Sequence, residues 1–270
     1  MIAPELLALV PGCEQGCPPR AVAVLQGGFG RNQVLRIDTA QGRFVLRRRL
    51  GPLDRPGALA RAELAAHRRA ATLGIAPGVL AAAADGGWIL MEFVDAQPWT
   101  EATLREEGAL ERLGRRLAIL HSLPAPAEVP VANAPAMASG YLAVARGRDP
   151  AAGAALEPLA GQVRRMTEEL AAGARGSVLV HGDLMASNLL GPLPVMVDWE
   201  YAQAADPGWD LACLLSYYPF LRPRLDRLLG SAGLGGAEAR ARVELQCRRF
   251  ELLNRLWHLA YPVPGSAQAG

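Results

Sequence analysis

The sequence predicts an α+β fold of two lobes, a small antiparallel sheet with one helix followed by a mainly helical half. Three observations carry this. From residue 21 to 94 the apolar residues fall in short runs broken by glycine turns, the pattern of strands. After Pro98 the period lengthens, and Leu104, Leu110, Leu113, Leu117 and Leu120 lie at helical spacing. The 270 residues, 51% of them apolar, are enough for one large domain or two lobes without disulfides. The change of period divides the chain into lobes at 1–94 and 95–270.

The elements follow in order. Residues 22–25 read as the first strand; Gly27, Gly28 and Gly30 make a turn; 33–37 and 43–46 are two strands joined through 39–42. Residues 61–73 are helical and stop at Gly74, with Pro77 just beyond. Strands at 79–84 and 88–93 flank Asp85-Gly86-Gly87, a hairpin signal. In the second lobe, 123–135 is a connector rich in Pro and Ala, and helices are expected at 136–145, 156–172, 209–218, 222–229 and 237–259. Short strands at 178–180 and 195–197 are embedded among them.

Composition excludes several classes. The formal charge is only +2, and no basic run or arginine-aromatic interleaving points to nucleic acid. All 28 Lys+Arg residues are arginine, so a site that needs a cation must use a guanidinium. Residues 1–10 lack a basic n-region with a long apolar core, and no run reaches the roughly 18 apolar residues of a membrane span, so a cytoplasmic protein is expected. Cys13, Cys17, Cys213 and Cys247 are scattered and read as free thiols.

Chemistry concentrates between His181 and Glu200. Residues 178–190 read as a strand, a polar loop bearing His181, Asp183 and Asn188, and a second apolar run. Asp183 and Asn188 are five apart, the interval that a kinase catalytic loop uses to place a base and a metal-binding amide. Asp198 follows ten residues after Asn188, at the end of a predicted strand, and offers a second hard oxygen ligand. Phosphoryl transfer asks for positioning and charge neutralisation, so one base and bridged magnesium suffice. In that reading Asp183 is the base, Asn188 and Asp198 hold Mg2+, and His181 orients the loop.

His181-Gly182-Asp183 with Asn188, then Val197-Asp198-Trp199-Glu200-Tyr201 and Asp206-Pro207-Gly208-Trp209-Asp210-Leu211-Ala212, resembles the aminoglycoside phosphotransferase and choline kinase superfamily. The thiamine kinase and choline kinase branch is the most similar. The resemblance implies a protein-kinase-like fold, ATP with Mg2+ between the lobes, and transfer to a hydroxyl of a small molecule. It places phosphates against Gly27, Gly28 and Asn32, and a cation at Arg47 after the apolar triplet Phe44-Val45-Leu46; Arg49 shares that strand face. Glu63 is the expected partner of Arg47, and the backbone of Glu92 and Val94 the expected hinge to adenine.

The resemblance also locates the acceptor over Asp183, near Glu200, Asp206, Trp209, Asp210, Trp257, His258 and Tyr261. Aromatic faces suit a quaternary ammonium or thiazolium cation. Equally, Trp209 and Trp257 lie on apolar helix faces as core residues do, and Asp206 and Asp210 stand where carboxylates cap a helix. Glu238, Glu244 and Glu251 among many arginines make no acidic surplus, so an aminoglycoside ranks below thiamine, choline or ethanolamine as acceptor. A pseudokinase would lack the base or a metal ligand, and all three residues are present.

Overall fold

The structure, a computed structural model, describes residues 2–25, 32–50, 57–171 and 176–262. After a short helix α1 (Pro4–Leu7), strands β1 (Ala21–Leu25), β2 (Asn32–Asp38) and β3 (Arg43–Arg49) run antiparallel. Helix α2 (Gly57–Ala71) follows, then the hairpin of β4 (Val79–Ala82) and β5 (Trp88–Glu92). The sheet order is β1-β2-β3-β5-β4. The turn after α2 ends on Gly74 at φ +62, a left-handed position that glycine takes without a Cβ penalty.

Alternation gives this sheet two apolar faces. Leu35, Ile37, Leu46 and Leu90 point to one side, where Ile2, Val10 and Cys13 of the N-terminal segment cover them. Thr39 Oγ donates to the Pro11 carbonyl at 2.8 Å and ties that segment to the β2–β3 turn. The sequence reading did not assign this cover. On the opposite face, Val45, Ile89 and Met91 cluster with Leu64 of α2.

The helical spacing from Leu104 to Leu120 is carried by α3 (Glu101–Arg105), capped by Thr100, and α4 (Ala109–His121), with Gly108 between them at φ +74. Next come α5 (Ala134–Arg148), capped by Asn133, α6 (Pro150–Ala171), β6 (Val178–Val180), β7 (Leu189–Leu190), β8 (Val195–Met196) and β9 (Gln203–Ala205). Helices α7 (Gly208–Tyr217), α8 (Leu225–Ser231) and α9 (Ala237–Ala260) complete the lobe. The helix expected at 222–229 begins instead as a 3-10 turn, Pro219–Arg224, because Pro223 cannot donate into an α-helical ladder. Strands β7 (two residues) and β9 (three residues) were not assigned from the sequence.

The largest core joins the lobes rather than separating them: Ala66, Ala70, Ile75 and Ala76 pack with Trp99, Leu104, Leu110, Leu113, Met196 and Trp199. His67 of α2 lies at this junction, buried, its Nε2 against the Pro77 carbonyl at 2.9 Å. Burial lowers its pKa from 6.5 to about 4. Below pH 6.5 the unfolded chain therefore takes up a proton that the folded ring refuses, so stability is expected to fall by about 3 kcal/mol between pH 6.5 and 4 from this residue. Urea unfolding at pH 7 and 4.5 should show a smaller loss in His67→Gln, which keeps a donor for Pro77. An equal loss in both proteins would contradict it.

The described residues contain no helix long and apolar enough to cross a membrane. All four cysteines are free.

Candidate active site

β6 ends at Val180, and the chain leaves it through a loop that cannot be held by its own backbone alone. His181 is fully buried and serves as its internal brace. Its Nε2–H donates to the Val197 carbonyl at 2.9 Å and its Nδ1 accepts the Asp183 N–H at 3.3 Å, which fixes the neutral tautomer. Gly182 has φ +81, and a Cβ there would collide with the Tyr201 carbonyl, so only glycine fits.

The loop is further held by one face of α7, from residues three and four positions apart. Asp210 accepts the backbone N–H of His181 at 3.0 Å and of Gly182 at 2.9 Å; Cys213 Sγ accepts the Leu184 N–H at 3.1 Å. Tyr218 accepts the Ala186 N–H at 3.0 Å, and Tyr217 donates to Asp183 Oδ1 at 3.4 Å. His121 Nε2 donates to Asp210 at 3.0 Å. Burial alone would raise the Asp210 carboxyl, but the His121 hydrogen bond and charge outweigh it and hold the group below its ordinary value.

Asp183 is thus presented on a rigid loop, its Oδ1 touched by Tyr217 and its Oδ2 by Asn188 Nδ2 at 3.4 Å. Burial pushes its carboxyl up, against the hydrogen bond from Tyr217. Asn188 also donates through Nδ2 to the Asp183 carbonyl at 3.0 Å, so both of its hydrogen bonds to Asp183 use the amide nitrogen. Asp198 has φ 66, the only positive φ of a non-glycine among the described residues, the kind of backbone outlier found at functional sites. Its side chain is 35% exposed, but Oδ1 is buried with no hydrogen-bond partner and only Arg47 Nη1 at 3.5 Å. Burial raises this carboxyl too, against the charge of Arg47.

These donors suit magnesium. Asn188 and Asp198 offer two hard oxygens, and the orphaned Asp198 Oδ1 is a ligand in waiting. Among the described residues no group of three or more His, Cys, Asp or Glu side chains makes a closed cage. An ion that takes one or two protein oxygens and completes its shell with phosphates and water needs none.

Across the cleft, Arg47 pairs with Glu63 as expected from the sequence, and Arg49 reaches the other Glu63 oxygen at 3.0 Å. Asn32 opens β2 opposite Arg49, with its Oδ1 buried and unpartnered. Gly27 and Gly28 lie outside the described residues. Glu92 closes β5; its N–H donates to the Gly78 carbonyl at 2.9 Å, and the Val94 carbonyl accepts the Ala96 N–H at 2.9 Å.

The acceptor candidates divide. Asp210 is fully buried, with its oxygens already committed to three donors, so it supports the loop and does not touch an acceptor. Asp206 is likewise structural: it accepts from Gly208 N–H at 2.9 Å, Gln246 Nε2 at 2.6 Å and Arg242 Nε at 2.7 Å, capping α7 and tying it to α9. Trp209 is 3% exposed, edge-on to Phe250 at 6.0 Å and under the Arg249 guanidinium at 5.1 Å, which makes it core. Glu200 lies near enough to Asp183 to push its carboxyl up. Trp257 and Tyr261 are 5.8 Å apart at the end of α9, and Tyr141 of α5 meets Tyr261 edge-on at 6.4 Å. His258 is exposed and meets Trp257 edge-on at 4.9 Å.

Sequence reading missed Tyr217, Cys213, Tyr218, His121 and Tyr141. Cys213 and Tyr217 lie three and seven positions after Asp210 on α7, so helical spacing was a signal for them; Tyr218 follows the end of the helix. His121 and Tyr141 carried none.

Asp183 and Asn188 on this loop and Asp198 after β8, the last within 3.5 Å of Arg47 on a five-stranded antiparallel sheet, form an arrangement that suits phosphoryl transfer in a kinase-like architecture. The profile of the phosphotransferase enzyme family (APH) matches residues 21–245, and the chain belongs to that family. A choline/ethanolamine kinase family protein from Mesorhizobium loti is similar in structure, with TM-score 0.73, 27% identity, and coverage of 95% of this chain and 84% of that one. A choline kinase from Streptococcus pneumoniae shares the fold at TM-score 0.71 and 16% identity over 92% and 87% of the two chains. So does a spectinomycin phosphotransferase solved with ADP and spectinomycin, at TM-score 0.56 and 14% identity over 97% and 98%. No curated protein matches the sequence. The protein is a small-molecule phosphotransferase of the aminoglycoside phosphotransferase and choline kinase superfamily.

Proposed function

We propose that the protein transfers the γ-phosphoryl group of ATP, with magnesium, to a hydroxyl of a small cationic metabolite of the thiamine or choline/ethanolamine type. The observation that carries this is Asp183, a partly buried carboxylate with a raised pKa, fixed at both oxygens beside an orphaned Asp198 oxygen. Asp183 accepts the proton of the acceptor hydroxyl while that oxygen bonds to the γ-phosphorus and the bond to the β,γ-bridging oxygen breaks, leaving ADP. His181 keeps the carboxylate aimed by holding the Asp183 backbone. Magnesium, held by Asn188 and Asp198, supplies neutralising charge to the phosphates. Arg47 steadies the phosphates from β3, Glu92 and Val94 offer backbone to adenine, and the apolar face of Val45 and Met91 covers the base.

For the acceptor, the three-ring group Tyr141, Trp257 and Tyr261 favours a cation held by aromatic faces. It is linked to the loop through Phe250, which packs on Tyr217 and precedes Trp257 by seven residues, about 10 Å along α9. The likeness to the choline/ethanolamine kinase family protein from Mesorhizobium loti supports the same class. The test is ADP release with thiamine, choline, ethanolamine and kanamycin, each with magnesium-ATP. Turnover on one of the first three is expected. Turnover on kanamycin alone would replace this reading with antibiotic modification.

A further inference from the structure

Strand alternation puts Arg47 and Arg49 on one face of β3, while Arg48 turns away to donate to Gln33 Oε1 at 2.6 Å. Both guanidiniums are nearly buried, with side chains 10% and 11% exposed, and both rest on one carboxylate, Glu63, itself 4% exposed. Glu63 gives Oε1 to Arg47 and Oε2 to Arg49, so neither arginine receives the bidentate pairing that would neutralise it alone. Asp198 stands near Arg47 only, and it is the carboxylate assigned to magnesium. Among the described residues, the trio of Arg47, Arg49 and Glu63 carries one positive charge in excess, offset by Asp198 at 3.5 Å from Arg47; where Asp198 serves a metal, an anion beside Arg49 would take its place in this water-poor spot. Arg49 lies opposite Asn32, where β2 begins, and Arg47 opposite Val34, two pairs deeper, so the two cations are strung along the strand as the phosphates of a nucleotide are along its chain.

We propose that Arg49 is a second phosphate-binding cation, and that the donor site reads the length of the phosphate chain with two guanidiniums bridged by one glutamate. This rests on the nucleotide reading above and adds a residue to it. Arg49 also explains why Glu63 need not be broken from Arg47 when phosphate arrives: the planar guanidinium has five donors, and one bond to Glu63 leaves others for a phosphate oxygen.

The test is calorimetric titration of the full chain, in magnesium, with adenosine, AMP, ADP and AMP-PNP. Arg49→Gln is expected to weaken AMP-PNP at least about tenfold, ADP less, and adenosine by less than about twofold, the grading a lost charged hydrogen bond to phosphate predicts. Arg49→Lys keeps the charge without the fork and should lose AMP-PNP affinity severalfold with adenosine unchanged; it carries the test if the glutamine variant does not fold. Unchanged AMP-PNP affinity, or equal weakening of adenosine and AMP-PNP, would overturn the proposal, the second outcome marking a purely structural support for Glu63. If the unmodified protein binds neither adenosine nor AMP-PNP, the nucleotide reading itself falls, and that result appears before any variant is made.

Discussion

Asp183→Asn is expected to turn over about a thousandfold more slowly than the unmodified enzyme while still binding magnesium and AMP-PNP, the scale of a lost general base. The substitution keeps the size of the side chain and leaves an oxygen for the Tyr217 hydroxyl, so the loop should stay as it is. The raised carboxyl pKa makes this a good base for an alcohol proton, and an amide cannot take that proton at all. Steady-state kinetics and nucleotide titration on the same preparation separate the two steps. Retention of more than about a tenth of the activity would mean that positioning alone drives the transfer and that Asp183 is not the base.

The second large effect lies out of reach of any substrate. Asp210→Ala strips the acceptor from the backbone N–H groups of His181 and Gly182 and from His121 Nε2, all in the interior. Leaving buried donors unpaired, one of them a histidine that faced a carboxylate, is expected to cost about 3 kcal/mol or more, roughly 10 °C in melting temperature for a chain of this size. Activity should fall with it, because His181 no longer aims the loop. Asp210→Asn preserves the volume and one oxygen and should fall between. Thermal unfolding followed by circular dichroism decides; melting within a degree or two of the unmodified protein would show that the loop is held by its other contacts, through Cys213 and Tyr218. Stability from Asp210 is present above the ordinary carboxylate pKa and is lost as the pH drops through its lowered folded value.

The contrast between Asp183 and Asp210 shows how far local sequence reaches. Both are aspartates beside glycine and apolar residues, and both stand in motifs that resemble the family. Spacing alone placed Asp183, Asn188 and Asp198 together, because a strand, a loop of fixed length and a return strand leave little freedom for where side chains emerge. The family resemblance put Asp206, Trp209 and Asp210 in the acceptor region, and nothing in one dimension corrects that, since a carboxylate that caps a helix looks like one that meets a ligand. Packing of α7 against α9 settled the difference: Trp209 and Asp210 are buried, and the oxygens of Asp206 and Asp210 are taken up by internal donors.

What the sequence determined by itself is the two-lobed architecture, the loop from His181 to Asn188 and the carboxylate at Asp198, legible because period and spacing are local properties of the chain; the Arg47–Glu63 pair was expected only from the family resemblance. Only the tertiary structure decided that Asp210 supports the loop from within, that Tyr217 touches the base, that Arg49 shares Glu63 with Arg47, and that residues 2–13 cover the back of the sheet. Each of these joins residues at least 14 positions apart, across distances that no periodicity encodes; hydrogen-bond satisfaction and close packing choose such partners only when the chain has folded.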